Sequence, residues 1–247
     1  MSERKTVRAV ERALEILLCF VQRSSLSLTE ISELTQLNKS TVYRLLTTLE
    51  EKGFLSRDPD TEKYQLGFRI WELSVHLDAS NDPAILFLPE MERLRDQLDE
   101  TISLYVRDGY ERVRIQAVES RQAIRRVAPI GARMSLAVGA SSKVLMAYAE
   151  PEFVDEVIHS PYWPEDVDPQ QYREQLNEIA QHGYAISIEE REAGTAAIAL
   201  PIFNHHNQIV AALAVSGPVQ RMSLAQMRSF LPDLTKSVKK MGKMLRS

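Results

Sequence analysis

Six residues that can donate hydrogen bonds stand at or near the N-terminal half of one helical run: Lys39, Ser40, Thr41, Tyr43, Arg44 and Thr47. No Asp or Glu occurs there from Lys39 to Leu49. Arginine and lysine donate to guanine edges or to phosphates, and hydroxyls donate to phosphate oxygens. The chemistry this set can do is reading a nucleic-acid duplex. Further on, Arg57 and Lys63 flank a turn-rich stretch and would reach a phosphate backbone, as would Lys5 and Arg8 from the first helix. The bland alternative is a three-helix structural module with a solvated face. Duplex reading is favoured by the missing acids and by the hairpin that follows immediately.

Catalytic constellations are not legible. The sequence holds no Gly-x-Ser-x-Gly, no Walker phosphate loop and no His-Glu-x-x-His. His205 and His206 fall in a polar turn, His76, His159 and His182 are scattered, and Ser216-Gly217 has no readable base partner. Carboxylates on helices read as solvated faces. The expectation is a protein that is not an enzyme and uses no cofactor. Cys19 is the only cysteine, so disulfide frameworks and multi-cysteine metal sites are excluded. Among Leu17, Leu18 and Phe20 it reads as an ordinary small buried thiol rather than a redox sensor.

The elements that must position the donors follow from periodicity. Val7, Val10, Leu14, Leu17, Leu18 and Val21 mark one face of a first helix. Ser27 stands three residues before Glu30, a capping-box start for a helix to about Thr35 that buries Leu28, Ile31 and Leu34. Gln36-Leu37-Asn38 then leads into the helix from Lys39 to Lys52, with Val42, Leu45, Leu46 and Leu49 inward and Gly53 closing it. Phe54–Arg57 and Lys63–Leu66 read as a hairpin around Asp58-Pro59-Asp60-Thr61-Glu62. Helix, turn, helix, hairpin is the winged helix-turn-helix order, in which the leading half of the last helix enters the major groove.

From Phe68 an apolar face (Ile70, Leu73, Leu77) predicts a linker helix, stopped at Ser80-Asn81-Asp82-Pro83. Beyond it helices are expected near 83–98, 141–149, 152–159, 169–181 and 223–245. Strands are expected near 102–108, 111–119, 124–127, 184–187, 195–203 and 208–216. Hairpins among mixed elements mean an α+β domain with an antiparallel sheet. The expected division is residues 1–67 for DNA binding, 68–80 for the linker and 81–247 for a second domain.

At 247 residues and 44% hydrophobic content the chain can bury two cores. Net charge is −4, split as +1 over residues 1–70 (11 basic, 10 acidic) and −5 over the rest (19 basic, 24 acidic). Nucleic-acid binding must therefore rest on placement rather than on bulk charge. The charged, amphipathic N-terminus reads as neither signal peptide nor membrane span, so the expected compartment is the cytoplasm.

Four stretches carry a resemblance: Ser40-Thr-Val-Tyr-Arg-Leu-Leu-Thr-Thr-Leu-Glu-Glu-Lys-Gly-Phe-Leu55, His182-Gly-Tyr184, Ile198-Ala-Leu-Pro201 and Val210-Ala-Ala-Leu-Ala-Val-Ser-Gly-Pro218. With these the chain resembles the IclR family of transcriptional regulators across nearly its full length. The family's turn before the recognition helix commonly carries Gly and Pro, where this chain has Gln36 and Asn38. A non-glycine in a left-handed turn costs on the order of 1 kcal/mol, which is tolerable.

The resemblance implies a GAF-like C-terminal effector domain, with its antiparallel sheet flanked by helices. It also implies a homodimer formed mainly through the N-terminal domains and linker helices around Trp71, and often a dimer of dimers. By the same resemblance a small-molecule effector lies at Gly139, Ala140, Ser141 and Ser142, faced by Ser187, Ala197 and Ser216. A helix start there suits a carboxylate. Where several members carry an acidic residue and a cysteine, this chain has Ser187 and Ala197. With Met134, Leu136 and Met146 nearby, that bias favours a larger or partly aromatic acid. A purely architectural DNA-binding dimer without ligand response stays open, as do repression and activation.

Overall fold

The protein is described from a computed structural model covering residues 6–21, 23–75, 82–125, 127 and 129–245. The chain forms two compact units, Met1–Ala79 and Ser80–Ser247.

The first unit contains α1 (Arg8–Leu18) with a 3₁₀ turn (Cys19–Val21), α2 (Leu28–Thr35), α3 (Lys39–Glu51), β1 (Leu55–Arg57), β2 (Tyr64–Leu66) and α4 (Phe68–Val75). The capping box forms as expected: the Glu30 amide donates to Ser27 Oγ at 3.3 Å and the Ser27 amide to Glu30 Oε2 at 2.8 Å. Gln36 ends α2 at φ 54°, the left-handed position that the turn demands. Asn38 then caps α3, accepting from the Thr41 amide at 2.9 Å. β1 and β2 pair antiparallel, with Ser56 opposite Gln65, and Leu26 bridges to Tyr64 beside them.

The core of this unit consists of Ile16, Phe20, Leu26, Ile31, Val42, Leu46, Leu49, Leu55 and Tyr64. The apolar face read along α1 lies mostly outside it. Val7, Val10, Leu14, Leu18 and Val21 are each at least 45% exposed, and only Leu17 of that set packs against the core. Leu34 is likewise exposed, so α2 contributes Ile31 with Leu28 at the margin. A helix this apolar has two hydrophobic sides, and the sequence pattern marked the wrong one as the longer stripe. Leu77 and the expected end of the linker helix lie outside the described residues, as does Lys5.

The second unit begins with α5 (Pro83–Leu86) and α6 (Leu88–Leu98), then β3 (Thr101–Asp108), β4 (Glu111–Val118) and β5 (Arg133–Ser135). There follow α7 (Ala140–Ala147), α8 (Pro151–Ile158), α9 (Pro169–His182), β6 (Ala185–Ile188), β7 (Thr195–Phe203), β8 (Ile209–Pro218), α10 (Leu224–Ser229) and α11 (Leu231–Met244). The strands form one antiparallel sheet in the order β5-β4-β3-β8-β7-β6.

Strand periodicity of two separates the sheet's faces. Ile198, Leu200, Ile202, Leu213 and Val215 pack with α6, α10 and α11 residues such as Met91, Met227 and Leu234. Ala199, Ala212 and Ala214 meet Val144, Tyr172 and Ile179 of α7 and α9. The alanine face lets α7 approach the sheet closely.

Three expectations are corrected. Ile124, Arg125 and Val127, the described residues of the strand expected at 124–127, lie in no strand, and β5 takes that edge of the sheet instead. The helices expected over 83–98 and 223–245 each break in two, at Phe87 and Phe230. Pro89 and Pro232 follow, each lacking the N–H that a continuous helix would need.

Candidate functional site

On α3 the donor set is presented as a surface. Lys39, Ser40, Tyr43 and Arg44 are exposed, and Thr41 and Thr47 half-exposed. Val42, Leu46 and Leu49 anchor the opposite side. The Ser40 hydroxyl donates to Asn38 Oδ1 at 3.0 Å, and the Thr47 hydroxyl turns back to the Tyr43 carbonyl at 3.0 Å. Thr47 therefore offers a duplex only its remaining acceptor capacity. The hairpin cations are tethered in a way the sequence did not reveal. Arg57 is ion-paired with Glu62 and lies 5.7 Å from the Tyr64 ring centroid, while Lys63 sits 3.9 Å from Glu30. The Ser27 amide, then its hydroxyl, holds the Glu30 carboxyl below its ordinary range, with Lys63 adding less.

In the second unit the sheet register assembles residues far apart in sequence. Ser187 stands opposite Ala197, Ala197 opposite Ser216, and Ser216 opposite Thr101, so one row crosses β6, β7, β8 and β3. The row runs beneath the start of α7. There Gly139 takes φ 94°, a backbone that glycine adopts without strain, and a Cβ would press against Arg112 Nη2 at 3.2 Å.

Gly139, Ala140, Ser141, Ser187, Ala197 and Ser216 together line a cavity of about 40 Å³. Of the expected set only Ser142 is excluded: fully buried, it donates its hydroxyl to the Ser135 carbonyl at 2.8 Å and ties α7 to β5. Larger surface grooves exist, one of about 480 Å³ beside Tyr110, Tyr162 and Trp163. Buried polar groups converge on the small cavity.

Seven lining residues were not anticipated: Tyr105, Arg112, Glu190, Arg191, Thr195, Ala196 and Ala214. Arg112 is 4% exposed; its Nη1 donates to the Ser141 hydroxyl and its guanidinium carbon lies 4.9 Å from the Tyr105 ring centroid. Two residues along the strand, fully buried Arg114 donates to the Ser103 hydroxyl. Along Arg112-Val113-Arg114-Ile115 the two arginines are buried while Val113 and Ile115 are only partly so.

Ser187 and Ser216 are 9% and 7% exposed, and among the described residues neither hydroxyl has a hydrogen-bond partner. Neither hydroxyl is sealed from solvent, so the cavity leaves each open to a partner. Leu136 and Met146 are buried in the core beneath α7 rather than lining the cavity, and Met134 packs at its margin. The walls are therefore hydroxyls, alanines, two arginines, the Glu190 carboxylate and the Tyr105 ring. Of the side chains behind the expected bias toward a larger or partly aromatic acid, Ser187 and Ala197 line the cavity and Leu136 and Met146 do not.

Among the described residues no group of His, Cys, Asp and Glu could hold a metal ion, and no helix is long and apolar enough to cross a membrane.

Residues 9–59 match the model of the IclR helix-turn-helix domain, and residues 79–243 match that of the bacterial transcriptional regulator IclR C-terminal domain. The chain is 32% identical to the HTH-type transcriptional regulator KipR of Bacillus subtilis, covering 94% of this chain and 93% of that one. It is 31% identical to XynR of Escherichia coli, covering 92% and 93%. Among solved structures, an IclR homologue from Microbacterium hydrocarbonoxydans complexed with 4-hydroxybenzoate superposes with a TM-score of 0.82 at 25% identity, covering 95% of this chain and 99% of that one.

Proposed function

The chain belongs to the IclR family of DNA-binding transcriptional regulators, and on that premise we propose that its operator binding is sequence-specific and is modulated by a small, hydrophilic organic acid. The observation that carries the effector half is the pair of largely buried serines, Ser187 and Ser216, whose hydroxyls have no partner among the described residues and which line one cavity with Arg112 and the start of α7. A carboxylate supplies the acceptor that a guanidinium and helix N–H groups favour, and polar substituents supply partners for the serines. The neighbour with 4-hydroxybenzoate supports an acid of this size class. The polar walls favour a more hydroxylated one.

A thermal-shift screen of purified protein against organic acids tests this, since an acid at 100 times its dissociation constant stabilises by roughly 2.7 kcal/mol. An acid that stabilises the protein should also change its operator affinity in a mobility-shift assay. If every acid that binds leaves operator affinity unchanged, the protein is an architectural binder and not a sensor.

The DNA-reading surface on this reading is Lys39, Ser40, Thr41, Tyr43, Arg44 and Thr47, with Arg57 and Lys63 on the wing. A homodimer completes it. Val7 at the start of α1, Val10, Leu14 and Leu18 on it, and Phe68 stacked on Trp71 at 4.9 Å on α4, form apolar surface that a second copy covers. Such a dimer presents recognition helices to half-sites about 34–36 Å apart. Light scattering at micromolar concentration separates dimer from dimer of dimers, and a monomer with and without DNA refutes the assembly. Since the target is chromosomal DNA, the working compartment is the cytoplasm.

A further inference from the structure

The cavity's most telling occupant belongs to the protein itself. Glu190 sits on the connection between β6 and β7, where Glu189 (φ 56°) and Gly194 (φ 75°) both take left-handed backbone. The Gly194 amide donates to Glu189 Oε1 at 2.6 Å, and the Glu189 amide donates to the Thr195 carbonyl at 2.8 Å, closing the base of the turn. The closed turn carries Glu190 over to α7. There its Oε2 accepts from the Gly139 amide at 3.1 Å, and its Oε1 accepts from Lys143 Nζ at 2.7 Å.

A side-chain carboxylate therefore already holds the anion position at the head of α7, inside the cavity that also contains Arg112, Ser187 and Ser216. What remains, about 40 Å³, has room for on the order of one to three waters and not for an organic acid. Some wall must move for a ligand to enter. Most of the lining is fixed in the sheet or in α7, whereas Glu190 and Arg191 lie on the turn.

We propose that Glu190 is a tethered carboxylate that keeps the effector's place, and that an incoming acid displaces it and releases the β6–β7 turn. The exchange conserves charge: one carboxylate leaves Gly139 and Lys143 and another arrives, so the Lys143 ammonium, 10% exposed in its side chain, is never stranded. Ser187 and Ser216 gain partners only from the newcomer. Displacement links occupancy of the cavity to movement of a surface turn, a two-state element that a ligand can bias. This rests on reading the cavity as an organic-acid site.

The test uses acetate as the minimal carboxylate, with full-length parent, Glu190→Ala and Glu190→Gln proteins, and sodium chloride at equal ionic strength as baseline. Removing the tether should let acetate fill its seat. The Gly139 amide resonance of Glu190→Ala should titrate with acetate at least tenfold more tightly than in the parent, and hydrogen exchange across residues 189–194 should quicken in the absence of acetate. Glu190→Gln keeps the side chain's shape without its charge, so it guards against a folding defect and should also bind acetate more tightly than the parent. Equal acetate affinity in all three proteins overturns the proposal. If an acid from the screen binds parent and Glu190→Ala alike, the proposal falls while the sensor reading stands. If no acid binds either protein, the sensor reading falls and takes the proposal with it.

Discussion

The Arg112 guanidinium, on β4, donates to the hydroxyl of Ser141 in the first turn of α7, and both residues are buried. This contact joins the sheet to the helix start at the mouth of the cavity. A planar guanidinium can keep that bond, stay over the Tyr105 ring and still present donors to a carboxylate; an ammonium cannot do all three. Arg112→Lys should therefore weaken acid binding by about 1.5–3 kcal/mol. Titration calorimetry with the acid found by screening measures it. Parent-like affinity would remove Arg112 from the binding set.

Ser216 separates binding from stability. Its hydroxyl has no partner among the described residues, so Ser216→Ala should leave the melting temperature of the ligand-free protein unchanged or slightly raised. Acid affinity should fall by about 1–3 kcal/mol, with operator affinity in the absence of acid unaltered. A destabilised ligand-free variant would show that the serine has a structural duty instead.

On the DNA side, Arg44→Ala should cost roughly 1–3 kcal/mol and relax preference at one base pair if Arg44 reads a base edge. A phosphate contact would instead weaken all sequences alike and lower the salt slope by about 1. Glu62→Gln should act in the opposite direction. It frees Arg57 from its ion pair, so binding to any duplex should tighten and the salt dependence should steepen. Mobility shifts across a salt series read both effects.

Glu90 gives the fold a pH signature. Buried between α6 and α11, it accepts from Arg93, from the Ser237 hydroxyl at 2.8 Å and from Lys240 at 2.5 Å. Burial by itself would raise its pKa, but hydrogen bonds from Arg93, Lys240 and Ser237 outweigh burial and hold it at about 2. A depressed carboxyl pKa contributes stability that is present above its ordinary value of 4.5 and is lost as pH falls from there toward about 2. That interval corresponds to roughly 3 kcal/mol, an upper figure because Arg93 and Lys240 are solvent-screened. Glu90→Gln should therefore melt below the parent at about pH 7, with the gap closing toward pH 2. Thermal melts over that range check it, and a gap that stays constant with pH would show that the carboxylate's charge plays no part.

Local signals in the sequence carried the DNA-binding unit almost whole. Ser27 with Glu30, Gln36 at the turn, Asn38 before Lys39 and Gly53 at the helix end each depend on backbone groups within a few residues. Nothing distant can overrule them cheaply. In the second unit the strands from Thr195 and from Ile209 were legible for the same reason, and Ser187, Ala197 and Ser216 were reached through family motifs. Their alignment into one row was not legible, because register belongs to pairs of strands.

What only the tertiary structure decided was which surfaces face inward. α1 has two apolar sides, and packing placed Ile16 and Phe20 in the core while leaving Val7, Val10 and Leu14 outside. On β4 the side bearing Arg112 and Arg114 became buried, which composition argues against until Ser141, Ser103 and Tyr105 are seen to receive it. Glu190 lies 47 residues from Lys143 and 51 from Gly139, so no spacing rule could bring it to the head of α7. Helix caps, turns and periodicities are fixed by neighbours along the chain and can be read from it. Burial of charge and convergence on a cavity depend on contacts between distant segments, and those exist only once the sheet and α7 have packed.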